Sequence, residues 1–353
     1  MEYFTILYYI GAKLMLVVYI FVGLILLFFL SMFVLALCVH IRFFYRRYEG
    51  NSNLKYLEAK DFESLEAEPV FFCSNNHQGL QGFIYKKTGC SDPIGCIIFS
   101  HGFGAGHRAY TTEINFFAQA GFYVLAYDST ACADSDGKYF GGFDQGPIDL
   151  EAALRFSCEN AQLKDLKKVI VGHSWGGFSV MNCVNTDVEI SGAVAMCGFI
   201  SGASIMAQSV AGRLKFLKPV LTIDFRLLNK LKFGKDANKN SIRSLKYSEC
   251  PIFLLYGKLD RTVKFPDNGA KILQRVRHKS NIKYKICSDK GHNVYLSVQA
   301  EQYMAKTFGA LSRKEKHDKE RKKNFYSSID YGKLTEEDPV IMNEILNFCL
   351  KCI

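Results

Sequence analysis

At 353 residues, with 49% hydrophobic and 22% charged side chains, the chain can hold one large α/β domain or two ordinary ones, and disorder throughout is excluded. Lys and Arg outnumber Asp and Glu, 44 to 34, for a formal net charge of +10. No metal-ligand cluster, phosphate loop or nucleic-acid module accompanies that charge. Neither a cofactor, a metal nor a nucleic-acid partner is therefore expected, and a membrane surface accounts for the charge better.

The apolar content is uneven. Residues 14–39, LMLVVYIFVGLILLFFLSMFVLALCV, carry no charge. As a helix they would span roughly 39 Å at 1.5 Å per residue, more than the roughly 30 Å core of a bilayer. Tyr3, Tyr8 and Tyr9 on one side, with Phe43, Phe44 and Tyr45 on the other, resemble interfacial aromatic belts. The run is too long for a signal-peptide core and no small-x-small cleavage site follows, so residues 1–44 read as an uncleaved single-pass anchor. Arg42, Arg46 and Arg47 follow it closely, which by charge bias puts the rest of the chain in the cytoplasm. Twelve cysteines in no disulfide spacing agree with a reducing compartment. Cys349-x-x-Cys352 stands at the end of the sequence, away from any strand-to-helix turn, and reads as no redox motif.

Residues 45–65 are polar and mixed, a juxtamembrane linker before a domain over 66–353. Segments 69–74 and 80–87 read as an antiparallel strand pair. A buried strand follows at 95–102 and further strands at 122–128, 167–172, 190–199, 250–257 and 282–287, with helical patterns at 110–121, 146–161 and after 175. Short Ile- and Val-rich runs, most of them followed by helices, predict a mostly parallel sheet covered on both faces. Residues 200–248 interrupt this alternation. They are rich in Lys, Arg, Phe and Leu and read as a helical cap insertion. The run 312–323, SRKEKHDKERKK, reads as a solvated face, and the tail from 336 has apolar positions at helical spacing.

Functional groups in a parallel α/β sheet belong at the carboxyl ends of strands. In KKVIVGHSWGG, Ser174 ends a Val-Ile-Val strand with glycine two positions before it and two after. Such a serine sits in a tight strand-to-helix turn that needs Gly172 and Gly176 for close approach. A serine hydroxyl needs a base, and the base needs an orienting carboxylate. Asp260 lies just past the strand in CPIFLLYGKLDRTVKF, and His292 follows the next one in IKYKICSDKGHNVY. Asp289 is too close along the chain to orient His292, and His40, His278 and His317 lack such a setting. An oxyanion formed by attack needs backbone donors, and the N–H groups of Phe103, in FSHGFGAGHR, and Trp175 fit.

SHGFGAG, GFYVLAYD, GHSWGG, YGKLD and GHN, in this order, resemble the α/β-hydrolase superfamily, in its serine aminopeptidase and monoacylglycerol lipase-like branch. The resemblance covers roughly residues 66–310. It implies an α/β-hydrolase fold with a cap, the triad Ser174–Asp260–His292, and esterase, lipase or thioesterase chemistry, with peptidases among the members. After Asp128 the family tends to carry Arg-Gly-x-Gly-x-Ser. Here the stretch is STACADS, with Ala131 and Ala133 in place of the glycines while Ser135 and Gly137 keep the end of the pattern, which puts the shape of the entrance in question. The expectation is a membrane-anchored serine hydrolase acting on acyl esters, lipids included. The rivals are a peptidase of the same fold and a catalytically silent scaffold, and retention of Ser, Asp and His together speaks against silence.

Overall fold

The computed structural model describes every residue except Asn76, Ala105 and 311–318. His317 and most of the 312–323 charge run thus lie outside the described residues. The chain divides into two compact units, Tyr45–Gly202 with Asn238–Ile353, and Met1–Phe44 with Ala203–Ala237.

The larger unit is built on eight strands, β1 (Leu65–Cys73), β2 (Gly79–Lys87), β3 (Cys96–Ser100), β4 (Tyr123–Tyr127), β5 (Lys168–His173), β6 (Gly192–Met196), β7 (Ile252–Gly257) and β8 (Ile282–Cys287). They form one sheet in the order β1-β2-β4-β3-β5-β6-β7-β8. Only β1–β2 and β2–β4 pair antiparallel, and the other five pairings are parallel. The fold is that of an α/β hydrolase, as the sequence predicted.

Alternation along each central strand feeds two cores. Ile170 lies in one with Ile98, Leu125 and Leu254, while Val169 and Val171 lie in the other with Ile97, Phe99 and Phe253. Both faces are apolar because helices cover both, which is why these strands read as unbroken hydrophobic runs. The C-terminal helix Pro339–Cys352 adds Ile341, Met342, Ile345 and Cys349 to the second core, as its helical spacing predicted. All twelve cysteines are free, and Cys96, Cys197 and Cys287 are buried. The chain order reverses beside β3, whose neighbours are β4 and β5. This is the switch point at which open α/β sheets bind ligands, at the carboxyl ends of their strands.

The smaller unit contains helix α1 (Glu2–Phe44), long and apolar enough to cross a membrane. Its side chains from Leu14 to Leu30 are mostly exposed, so it is not the core helix of a soluble domain. Along α1 packs a helix of the inserted segment, Lys218–Phe233. Ala36, His40 and Phe44, one row of α1 at i, i+4 and i+8, are buried. The inserted helix buries Leu221, Phe225 and Leu228, whereas Ile223, Leu227 and Leu231 are 65, 49 and 74% exposed. The unit boundary falls at 203 and 237, so Asn238–Ser248 stays with the sheet.

Candidate active site

Ser174 joins β5 to the helix Trp175–Cys183, with φ 57° and ψ −112°. That is a sparsely populated conformation for a residue with a side chain. Packing enforces it: a Cβ on Gly176 would stand 1.9 Å from the Ser100 carbonyl oxygen, and one on Gly172 would stand 2.5 Å from Gly176. The two glycines let β3, β5 and the helix meet closely enough to turn the serine outward. Ser174 N–H donates to the Met196 carbonyl at 2.7 Å, tying the turn to the end of β6.

The structure brings Ser174, Asp260 and His292 together. Ser174 Oγ lies 2.9 Å from His292 Nε2, and His292 Nδ1 lies 2.7 Å from Asp260 Oδ2. The other carboxylate oxygen, Asp260 Oδ1, accepts from the Thr262 and Val263 N–H groups, each at 2.8 Å. With Asp260 accepting, Nδ1 carries the proton and Nε2 is left to accept from the serine hydroxyl. Asp289 and His278 are exposed, and His40 lies in α1.

Phe103 follows the end of β3, and its ring lies 5.9 Å from that of Trp175. Trp175 opens its helix, so its N–H has no carbonyl of that helix to reach. The Trp175 indole donates to the Phe143 carbonyl at 2.8 Å. Phe140 packs edge-on against the indole at 4.5 Å, and Phe143 against Phe199 at 5.2 Å. These rings form a largely buried aromatic cluster around Trp175, the residue after the serine.

Several supporting residues carry no recognisable signal in the sequence. Glu301, in the helix Val298–Ala310, accepts from Gly291 N–H at 2.8 Å and Asn293 N–H at 3.1 Å, gripping the backbone on both sides of His292. His173 donates from Nε2 to the His292 carbonyl at 2.9 Å and accepts at Nδ1 from the Tyr110 hydroxyl at 2.9 Å. That hydroxyl in turn accepts from Gly102 N–H at 3.1 Å. One relay therefore links the loop after β3, the serine turn and the histidine loop. Burial, and then the nearby His292, push the His173 pKa well below the usual histidine value, which keeps the imidazole neutral for this donor–acceptor role. His173 and His292 also converge with Cys197 at metal-ligand distances. All four ring nitrogens are already hydrogen-bonded, so the cluster is accounted for without an ion. A cavity of about 210 Å³ near Leu54, Thr111 and Met304 is lined by none of the three triad residues.

The sequence pattern of the serine aminopeptidase (S33) family matches residues 91–246. The comparison with curated protein sequences gives no match. Among solved structures, an esterase of Pyrococcus furiosus is 22% identical with a TM-score of 0.56, over 76% of this chain and 98% of its own. An α/β hydrolase from Penicillium sp. sh18 is 16% identical with a TM-score of 0.50, over 74% and 99%. The acylaminoacyl peptidase of Pyrococcus horikoshii is 14% identical with a TM-score of 0.50, over 66% and 39%. With the switch-point serine turn and the eight-stranded sheet, these likenesses show that the chain has the α/β-hydrolase fold.

Proposed function

We propose that the chain is a membrane-anchored serine hydrolase that cleaves acyl esters through an acyl-enzyme on Ser174. The observation that carries the reading is the pair of hydrogen bonds from Ser174 Oγ to His292 Nε2 and from His292 Nδ1 to Asp260. Ser174 Oγ attacks the ester carbonyl while His292 takes its proton, and Asp260 stabilises the imidazolium. The oxyanion is received by the N–H groups of Phe103 and Trp175. Loss of one such donor typically lowers the rate by roughly 10²–10³. His292 then returns the proton to the departing alcohol. Water, activated by the same base, attacks the acyl-enzyme, and the acid leaves with Ser174 restored.

Esterases recur among the structural relatives, the Paenibacillus acetyl xylan esterase included. A lipid source of substrate is supported by α1 and by the exposed row Ile223, Leu227 and Leu231, which is flanked by Arg226 and Lys230 in the same unit as α1. An apolar row bordered by bases is the pattern of a helix lying in a membrane interface. Arg42 and Arg46 favour a cytoplasmic catalytic unit. A reporter fused after Ile353 then works only if it needs no export, and strong activity of an export-dependent reporter contradicts this orientation.

The function is tested by incubating the full chain in detergent with a fluorophosphonate probe. The wild type labels and hydrolyses p-nitrophenyl esters, and Ser174→Ala does neither while keeping its fold. A wild type that never labels between about pH 6 and 9, where a histidine base works, is a scaffold. A labelled enzyme that cleaves amides but not esters is a peptidase.

A further inference from the structure

Directly after α1, residues Tyr45–Glu49 do not run free. Tyr48 forms a parallel bridge with Cys132. Its N–H donates to the Ala131 carbonyl at 2.9 Å, and its own carbonyl accepts from Ala133 N–H at 2.9 Å. Arg47 reaches over the same loop. Its Nη1 donates to the carbonyls of Ser135 at 3.0 Å and Gly137 at 2.7 Å, and its Nη2 to that of Ala133 at 2.7 Å. One guanidinium thus holds three carbonyls of a single turn, a match to its planar fork that a lysine ammonium cannot reproduce.

The turn needs holding. Ala131 has φ 58° and Ala133 φ 40°, left-handed values that glycine adopts at little cost and alanine does not. The strained turn is also wired to the loop that carries Phe103. Ser129 N–H donates to His101 Nε2 at 3.0 Å, and the Asp128 carboxylate accepts from His107 N–H and Nδ1, both at 2.8 Å. Tyr48 touches that loop from the other side, its ring 4.3 Å from the ring of Phe103. Beyond Phe103 the loop contains Gly104, at φ 111°, and Gly106, at φ 71°. Such a glycine-rich stretch has little stiffness of its own.

We propose that Arg47 and Tyr48 are positioning residues for the oxyanion hole: the juxtamembrane segment clamps the strained 131–137 turn and, through it and the Tyr48 ring, fixes Phe103. The inference rests on the serine-hydrolase reading, since the hole matters only if Ser174 attacks. It assigns the segment after the anchor a part in catalysis as well as in attachment. The cause is physical: two alanines stand where glycines would relax, and external hydrogen bonds hold the turn instead.

The test uses full-length variants in detergent and reads the fluorophosphonate labelling rate, kcat and KM for a short-chain ester, and amide hydrogen exchange over 131–137. Arg47→Ala is expected to lower the labelling rate and kcat roughly ten- to hundredfold, the scale of a displaced catalytic group, with KM within about twofold. Exchange at the Ala133 amide accelerates. Arg47→Lys falls in between. Tyr48→Ala loses about tenfold, and Tyr48→Phe, which keeps ring and backbone, stays near wild type. Ala131→Gly with Ala133→Gly relaxes the turn, so Arg47→Ala in that background loses no more than a few-fold. A wild type that labels beside an Arg47→Ala that labels equally fast overturns the clamp alone. So does the same loss in the glycine background, which would mark general destabilisation. A wild type that does not label overturns both readings.

Discussion

Replacing Glu301 by Gln probes whether the histidine is held where the chemistry needs it. The carboxylate offers one oxygen to Gly291 N–H and the other to Asn293 N–H, at 2.8 and 3.1 Å. Gln has a single acceptor, so one N–H beside His292 loses its partner and meets an amide NH₂ instead. A hydrogen bond to a charged group contributes about 1.5–3 kcal/mol. Glu301 is partly exposed, so water recovers some of this, and about 1.5–2 kcal/mol is expected. In a domain of this size that lowers Tm by roughly 3–8 °C. The larger effect is kinetic. His292 Nε2 accepts from Ser174 Oγ at 2.9 Å, and a displacement near 1 Å can cost on the order of a hundredfold. Glu301→Gln should therefore lower kcat for p-nitrophenyl butyrate ten- to hundredfold. KM should hold, because Glu301 touches the base and not the substrate. A kcat within about twofold of wild type alongside a lowered Tm would refute the reasoning and leave Glu301 a merely stabilising residue.

Asp144 supplies a pH prediction. Burial raises its carboxyl from 3.8 to about 7, against the Asn238 N–H bond to it at 2.6 Å. A carboxyl whose folded pKa lies above its unfolded value contributes stability that is present below pH 3.8 and lost as pH rises through 7. Asp144→Asn keeps an acceptor for Asn238 and cannot ionise. Its Tm relative to wild type should climb between pH 5 and 8, by the equivalent of a few kcal/mol at about 1.4 kcal/mol per unit, and parallel curves would contradict this. Gly176→Ala must push a Cβ to 1.9 Å from the Ser100 carbonyl oxygen, so the serine turn should open and labelling should vanish, whereas an active variant would show the turn is not close-packed. Leu227→Asp should lower turnover of a long-chain acylglycerol in vesicles and spare a soluble short-chain ester. Equal effects on both substrates would remove the exposed row from the membrane account.

What the sequence made legible was local. The strands were readable because each central one is a short Val- and Ile-rich run buried on both faces, and β8 falls at 282–287 as expected. Ser174 and Asp260 were readable because each sits just beyond such a run, and His292 because it follows β8; a parallel sheet delivers those ends to one edge. The supporting residues act across long separations with no period to announce them. Arg47 meets carbonyls 86 to 90 residues away, and His173 meets the His292 carbonyl across 119. Residues 45–65 read as linker because their composition is polar, and a polar composition does not reveal that one tyrosine pairs with a turn. The inserted segment was visible as a helical insertion from its mixture of bases with Phe and Leu. Which of its faces stays exposed was not: Phe225 is buried, while Ile223 and Leu231 are open.

The central claim, an acyl-enzyme on Ser174, is tested most directly by quenching the full-length protein with acid within milliseconds of mixing it with a p-nitrophenyl acyl ester, then mapping the added mass by peptide sequencing. One acyl group per chain is expected on the Ser174 hydroxyl, formed with a burst of p-nitrophenol and absent from Ser174→Ala. Steady ester hydrolysis with no acyl group on Ser174, or with the acyl group on another side chain, would contradict it.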